Sequence, residues 1–156
     1  MGAQRKRKRV VKPPDMGTPE QQQKREILIG KGANPQLGAY PLGVLLARGT
    51  VTLDQHNVGL RYAGLYREVN RVGPREPSIG AEPNVDALYA MQDEYWRVTD
   101  ALLSCGRKVK EATDVICALL DHQPAAVLTM DVEPLKTGLR TLEKFYYTVD
   151  LRRRRN

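Results

Sequence analysis

"YPLGVLLARGTVTLDQHNVGLRYAGLYREVNRVG", Tyr40 to Gly73, carries three helix signals in order. Pro41 supplies the preset φ of a first helical turn, and Leu42, Leu45 and Leu46 follow at helical spacing. Gly49 can close that short helix in the left-handed conformation. Thr52 with Gln55 three residues on makes a capping box, in which each residue satisfies the other's free backbone N–H and a longer helix starts. The stretch therefore predicts helix, tight turn, helix.

On the second of these helices Val58, Tyr62, Leu65 and Val69 recur at three- and four-residue spacing, with Gly59 and Ala63 one turn apart beside them. Glycine in a helix interior costs about 1 kcal/mol relative to alanine. Gly59 thus calls for a close neighbour, and the short helix carrying Leu45 is the expected one. If Gly59 and Ala63 were instead exposed, a helix of another molecule could approach them.

Upstream, "GTPEQ" offers Thr18 as N-cap, Pro19 at the first helical position and Gln21 to complete a second capping box. This helix should run to Leu28 or Ile29, because Gly30, Gly32, Pro35 and Pro41 punctuate the chain beyond it, and Gly30 to Tyr40 reads as a loop. Downstream, "NRVGPREPSIGAEPN" is a proline- and glycine-rich connector. After it, Asn84 can cap a helix whose broad apolar stripe includes Val85, Leu88, Tyr89, Tyr95, Trp96, Leu102 and Leu103. Gly106 breaks the pattern, and Val109, Ala112, Val115, Ile116 and Leu119 resume it until Pro124. A last helix follows Asp131, with Leu135, Leu139, Leu142, Phe145 and Tyr146 on one side. The only strand-like run is "AAVLTM".

The fold expected is all-α, a single domain of about five helices that includes a helix-turn-helix-like hairpin. Its boundaries are a disordered basic arm at residues 1–14, the helical domain at 15–151 and a basic tail at 152–156. A chain of 156 residues suits one core, and 6% aromatic against 41% hydrophobic residues favours helix packing built from leucine, valine, alanine and tyrosine. No window approaches 18 apolar residues, and the charged N-terminus lacks an apolar signal segment, so neither a membrane partner nor secretion is expected. Cys105 and Cys117 are too few for a disulfide framework and read as reduced thiols, which points to the cytoplasm.

The net charge of +7 sits at the ends. Arg5, Lys6, Arg7, Lys8, Arg9 and Lys12 face no acid within the first twelve residues, and Arg152, Arg153, Arg154 and Arg155 close the chain, which leaves −3 on the residues between. Such runs neutralise phosphates and release counterions, giving sequence-independent affinity for nucleic acid, DNA ahead of RNA. A solvated tail, a nuclear-import signal, or contact with an acidic protein or anionic lipid are the other readings of the same charge. Within the body, the outer face of the helix after Thr52 offers Gln55, His56, Asn57, Arg61, Arg67 and Asn70, residue types able to read base edges or grip phosphates. Of these, Gln55, Asn57 and Arg61 are the candidates for nucleic-acid contact.

Catalytic signals are missing. His56 and His122 stand at no metal-ligand spacing with each other or with a cysteine, so no metal and no cofactor are expected. "ILIGKGAN" lacks the second glycine spacing and the Ser or Thr after lysine of a phosphate loop, and reads as a helix end. Asp93 and Glu94 are adjacent on a helix, point about 100° apart and do not converge. The chain is therefore read as a non-enzyme.

The order "DMGTPEQQQKRE", "YPLGVLLARGTVTLDQHNVGLRYAGLY", a helix with Tyr95-Trp96, and "LKTGLRTLEKFY" resembles a group of small uncharacterised helical proteins of alphaproteobacterial phages and prophages. The likeness spans most of residues 15–146 and departs from the group pattern at Asn57-Val58, before Gly59. It implies a DNA transaction such as transcriptional regulation or packaging, and supplies no site residues. The expected function is a non-enzymatic, phage-type nucleic-acid-binding accessory protein attached through its basic ends. The alternative is a helical structural or assembly adaptor that forms a homo-oligomer and binds an acidic protein.

Overall fold

The computed structural model describes residues 17–71 and 84–155, and every regular element among them is helical. The expectations for the arm at 1–14 and for the connector at 72–83 lie outside the described residues. Six α-helices are α1 (Pro19–Ile29), α2 (Pro41–Ala47), α3 (Leu53–Val69), α4 (Val85–Ser104), α5 (Arg107–Asp114) and α6 (Val132–Arg155). Short 3₁₀ turns occupy Pro35–Ala39 and Pro124–Leu128, so the expected loop after α1 contains a turn capped by Asn34, and the strand-like run is helical too.

Local chemistry starts these helices where the caps predict. Thr18 and Gln21 form the first capping box, Thr52 and Gln55 the second, and the Asn84 side chain accepts from the Ala87 N–H at 3.0 Å. Gly30 ends α1 with φ of 88°, and Gly49 turns the chain after α2 with φ of 69°. The Arg48 guanidinium donates to the Leu28 carbonyl at 2.7 Å and so ties this turn to the end of α1.

α2 is buried along Pro41 to Leu45 and packs on α3, the Pro35–Ala39 turn and the Pro124–Leu128 turn. Gly59 lies where α3 meets two neighbours. A Cβ there would sit 2.8 Å from Leu42 Cδ1 of α2 and 3.1 Å from Leu139 Cδ2 of α6. The close approach by α2 is the one the glycine predicts; the approach by α6 from eighty residues away is new. Gly59 and Ala63 are both buried inside the molecule.

α6 is the central strut, in contact with α3, α4 and α5, and it buries Leu135, Leu139, Leu142 and Tyr146 against them. α5 runs directly into a π-helical turn at Val115–Leu119. The wider turn carries about five rather than four residues between bonded groups, as in the Leu120 N–H bond to the Val115 carbonyl at 2.8 Å. It leaves Ile116, Cys117 and Ala118 all buried, an outcome that an α-helix turning about 100° per residue does not favour.

The basic run at Arg152–Arg155 continues α6 as its last turn. Arginine is a good helix former, and cations at a helix C-terminus offset the partial negative charge of its free carbonyls. The broad stripe on α4 divides: Tyr95, Val98, Thr99 and Leu102 are buried, whereas Val85, Tyr89, Trp96 and Leu103 are exposed. A stripe that wide cannot be covered by the helices on one side of it.

Candidate nucleic-acid interface

The candidates on α3 are engaged within the molecule. Gln55 spends its side chain on the capping box, accepting from the Thr52 N–H at 3.1 Å. Asn57 is exposed, with Oδ1 at 3.2 Å from His56 Nδ1. His56, expected on the outer face, is buried with its Nε2 at 2.9 Å from the Tyr40 hydroxyl. Arg67 pairs with Asp121 at 2.5 Å, and Asn70 donates back to the Tyr66 carbonyl at 2.9 Å.

Arg61 is the clearest case. Its Nη1 donates to both Asp150 oxygens at 3.1 and 3.2 Å, its Nη2 stands 3.6 Å from Glu94, and its guanidinium carbon lies 4.0 Å over the Tyr146 ring. Glu94 in turn accepts from Arg153 at 3.1 Å. The cluster joins α3, α4 and the end of α6. Glu94 is consequently an internal anchor, and Arg61 presents its charge to two carboxylates. Desolvation and the Glu94 carboxylate hold the Tyr146 phenol above its ordinary range, with Arg61 opposing them.

A second set, centred on the fully buried Tyr62, joins α3 to α5. The Tyr62 hydroxyl donates to Asp114 at 2.6 Å, and the Lys110 ammonium pairs with the other Asp114 oxygen. Burial first, then the bond to Asp114, raises the Tyr62 pKa far above 10.0, so the phenol is a permanent donor at neutral pH. The three groups satisfy one another and act as a clamp. Burial likewise pushes the Cys117 thiol up and keeps it protonated, while Cys105 is exposed.

The cationic surface that remains open lies elsewhere, in a groove of about 430 Å³ between α4 and α6. Ala101, Phe145 and Val149 contribute its apolar lining, and its charged lining is Arg97, Lys144 and Arg152 with no carboxylate. Arg97 reaches Asp93 at 3.2 Å across an exposed pair, worth at most about 1 kcal/mol and easily exchanged for another anion. Lys144 and Arg152 have no ion-pair partner among the described residues. The hydroxyls along this groove donate to their own helices: Thr141 to the Thr137 carbonyl and Thr148 to the Lys144 carbonyl, each at 2.9 Å. What the groove offers a ligand is positive charge over an apolar floor.

A continuation of about 520 Å³ toward the end of α6 shares Arg97, Val149 and Arg152 and adds Arg153, Asp93 and Glu94. Of the predicted residues, then, Arg152 and Arg153 border this surface, Arg154 and Arg155 extend α6 beyond it, and Gln55, Asn57 and Arg61 are not part of it. Arg5, Lys6, Arg7, Lys8, Arg9 and Lys12 lie outside the described residues. Arg97 and Lys144 are the residues that sequence reasoning missed. Lys144, Thr148 and Arg152 stand four apart, a spacing legible in the sequence, but nothing there brings Arg97 across from α4.

Among the described residues no three histidine, cysteine or acidic side chains gather as a metal site would require, and no helix is long and apolar enough to cross a membrane. Comparison of the chain with protein-family models, with curated proteins and with solved structures finds no match.

Proposed function

We propose that the protein is a non-enzymatic, cytoplasmic nucleic-acid-binding accessory protein of the phage type it resembles, serving transcriptional regulation or DNA packaging, with DNA ahead of RNA as its partner. The observation that carries this reading is the carboxylate-free groove holding Arg97, Lys144 and Arg152, which runs into the arginine-rich end of α6. The six cations before residue 13 add to the same electrostatic attachment. Because the groove hydroxyls are turned to their own backbone and Arg61 is turned inward, the reading is one of backbone attachment without base readout. The α2–α3 hairpin, helix-turn-helix-like in outline, serves in this view to support α6.

The test is fluorescence anisotropy with a random-sequence duplex at two salt concentrations. The intact protein is expected to bind with a steep salt dependence, and Lys144→Ala with Arg152→Ala to lower the slope by about 1.8, at about 0.9 for each phosphate no longer neutralised. Deleting residues 1–12 should lower it further. Failure of the intact protein to bind at low salt would overturn the reading; an unchanged slope in the double variant would remove the groove from it.

A further inference from the structure

The half of α4 that the core does not cover is organised. At about 100° per residue, Tyr89, Trp96 and Leu103 stand seven apart in one line, with Val85 beside them. Trp96, the only tryptophan of the chain, is 62% exposed. Asp86, Asp93 and Asp100, also seven apart, run parallel to this line roughly a sixth of a turn further round. Asp86 and Asp100 have no cationic partner among the described residues. The face is thus an apolar strip with an acidic rim.

The outer face of α6 is cationic at its two ends, with Glu143, Asp150 and Asp54 of α3 bordering one side of the aromatic residue at its middle. Tyr147 is 67% exposed and Leu151 lies one turn beyond it. Arg140 and Arg154 stand seven residues to either side of Tyr147, exposed and without a carboxylate partner among the described residues. From Asp86 to Asp100 and from Arg140 to Arg154 the separation along the helix is the same, about 21 Å at 1.5 Å per residue. Tyr147 falls at the middle of the second span, as Asp93, close to Trp96, does in the first.

We propose that these two faces are the two halves of one interface between copies of this chain: α4 of one molecule receives the outer face of α6 of a second. The occupant follows from charge. Pairing α4 with its own copy in antiparallel fashion sets the acidic rims against each other, whereas the α6 face brings arginines to the same acids and an aromatic residue to Trp96. The two patches are different surfaces, so the contact is heterologous: each molecule keeps one free patch after pairing, and assembly continues into a ring or a filament. This interface shares Asp93 with the border of the nucleic-acid surface and Arg154 with the arginine-rich end of α6, but does not use Lys144 or Arg152, nor Gly59 and Ala63, which are unavailable inside the core.

Light scattering on the chromatographed full-length chain, over a wide range of concentration, tests it. The wild type is expected to exceed the mass of one chain, and Trp96→Glu and Tyr147→Glu, each placed at an exposed position, to run as single chains with unchanged helical circular dichroism. An equimolar mixture of the two variants retains one intact pair of patches and should give a two-chain species. As a second test, Asp86→Arg with Asp100→Arg should dissociate the assembly, and adding Arg140→Asp with Arg154→Asp in the same chain should restore it. A wild type that stays single at every concentration, a Tyr147→Glu variant that keeps the wild-type mass, or variants that do not recombine would each overturn the proposal.

Discussion

Replacing Arg61 by alanine separates a structural from a nucleic-acid-contacting role. The substitution removes two interactions with carboxylates and one cation over an aromatic ring. Asp150 is half exposed and regains water when the guanidinium goes, and Glu94 keeps Arg153 at 3.1 Å. Neither acid is left as an unpaired buried charge, so the 3–5 kcal/mol of a broken buried pair does not apply, and roughly 0.5 kcal/mol for each carboxylate interaction is appropriate. The partly desolvated cation over Tyr146 contributes about 1 kcal/mol more. The expected destabilisation is therefore about 2 kcal/mol, or roughly 4–8 °C in Tm for a domain of this size. Urea unfolding measures that quantity, and anisotropy with duplex DNA measures the other: the salt slope of Arg61→Ala should equal that of the wild type. Were Arg61 a phosphate contact, the slope would fall by about 0.9. Stability within about 0.5 kcal/mol of wild type, the range of an ordinary surface substitution, or a slope lowered by that amount would refute the assignment.

Two further outcomes arise from the core. A Cβ at Gly138 would overlap Thr113 Oγ1, and Thr113 is fully buried with its hydroxyl bonded to the Val109 carbonyl at 2.7 Å. Gly138→Ala should thus destabilise by roughly 2–3 kcal/mol despite its better helix propensity, and Thr113→Ala in the same chain should relieve most of the clash; additive denaturant midpoints for the two would contradict this. Tyr62 and Tyr146 have folded pKa values raised above 10.0, and Cys117 one raised above 9.0, because burial favours the protonated forms. Their contribution is present in full below those unfolded values and is lost as pH rises, so unfolding free energy should be unaffected by these groups near pH 7 and fall above about pH 9, by up to 1.4 kcal/mol per pH unit for each group. Urea titrations from neutral to alkaline pH in Tyr62→Phe should show a shallower fall than wild type; an equal slope would contradict the burial argument.

Arg61 and Trp96 illustrate what kind of information each level carries. A surface assignment made from α3 alone places Arg61 outward, since nothing within one turn of the helix opposes it. The partners that draw it inward, Glu94 and Asp150, come from two other helices. On α4 the periodicity marks both Tyr95 and Trp96 as apolar, but only their neighbours decide that the first is buried and the second exposed. The groove that holds Arg97 with Lys144 and Arg152 arises in the same way.

The sequence by itself determined where helices begin and turn. Thr18 with Gln21, Thr52 with Gln55, Asn84, Gly30 and Gly49 all act through hydrogen bonds or backbone conformations confined to a few adjacent residues, so local chemistry suffices. It also marked Gly59 as a point of close approach, because the cost of an interior glycine needs a spatial reason. Only the tertiary structure decided that α6 is the second neighbour at that point, which half of the α4 stripe is covered, and which arginines remain free to meet an anion. Those outcomes depend on side chains about thirty to ninety residues apart, and their energies exist only once the helices are packed.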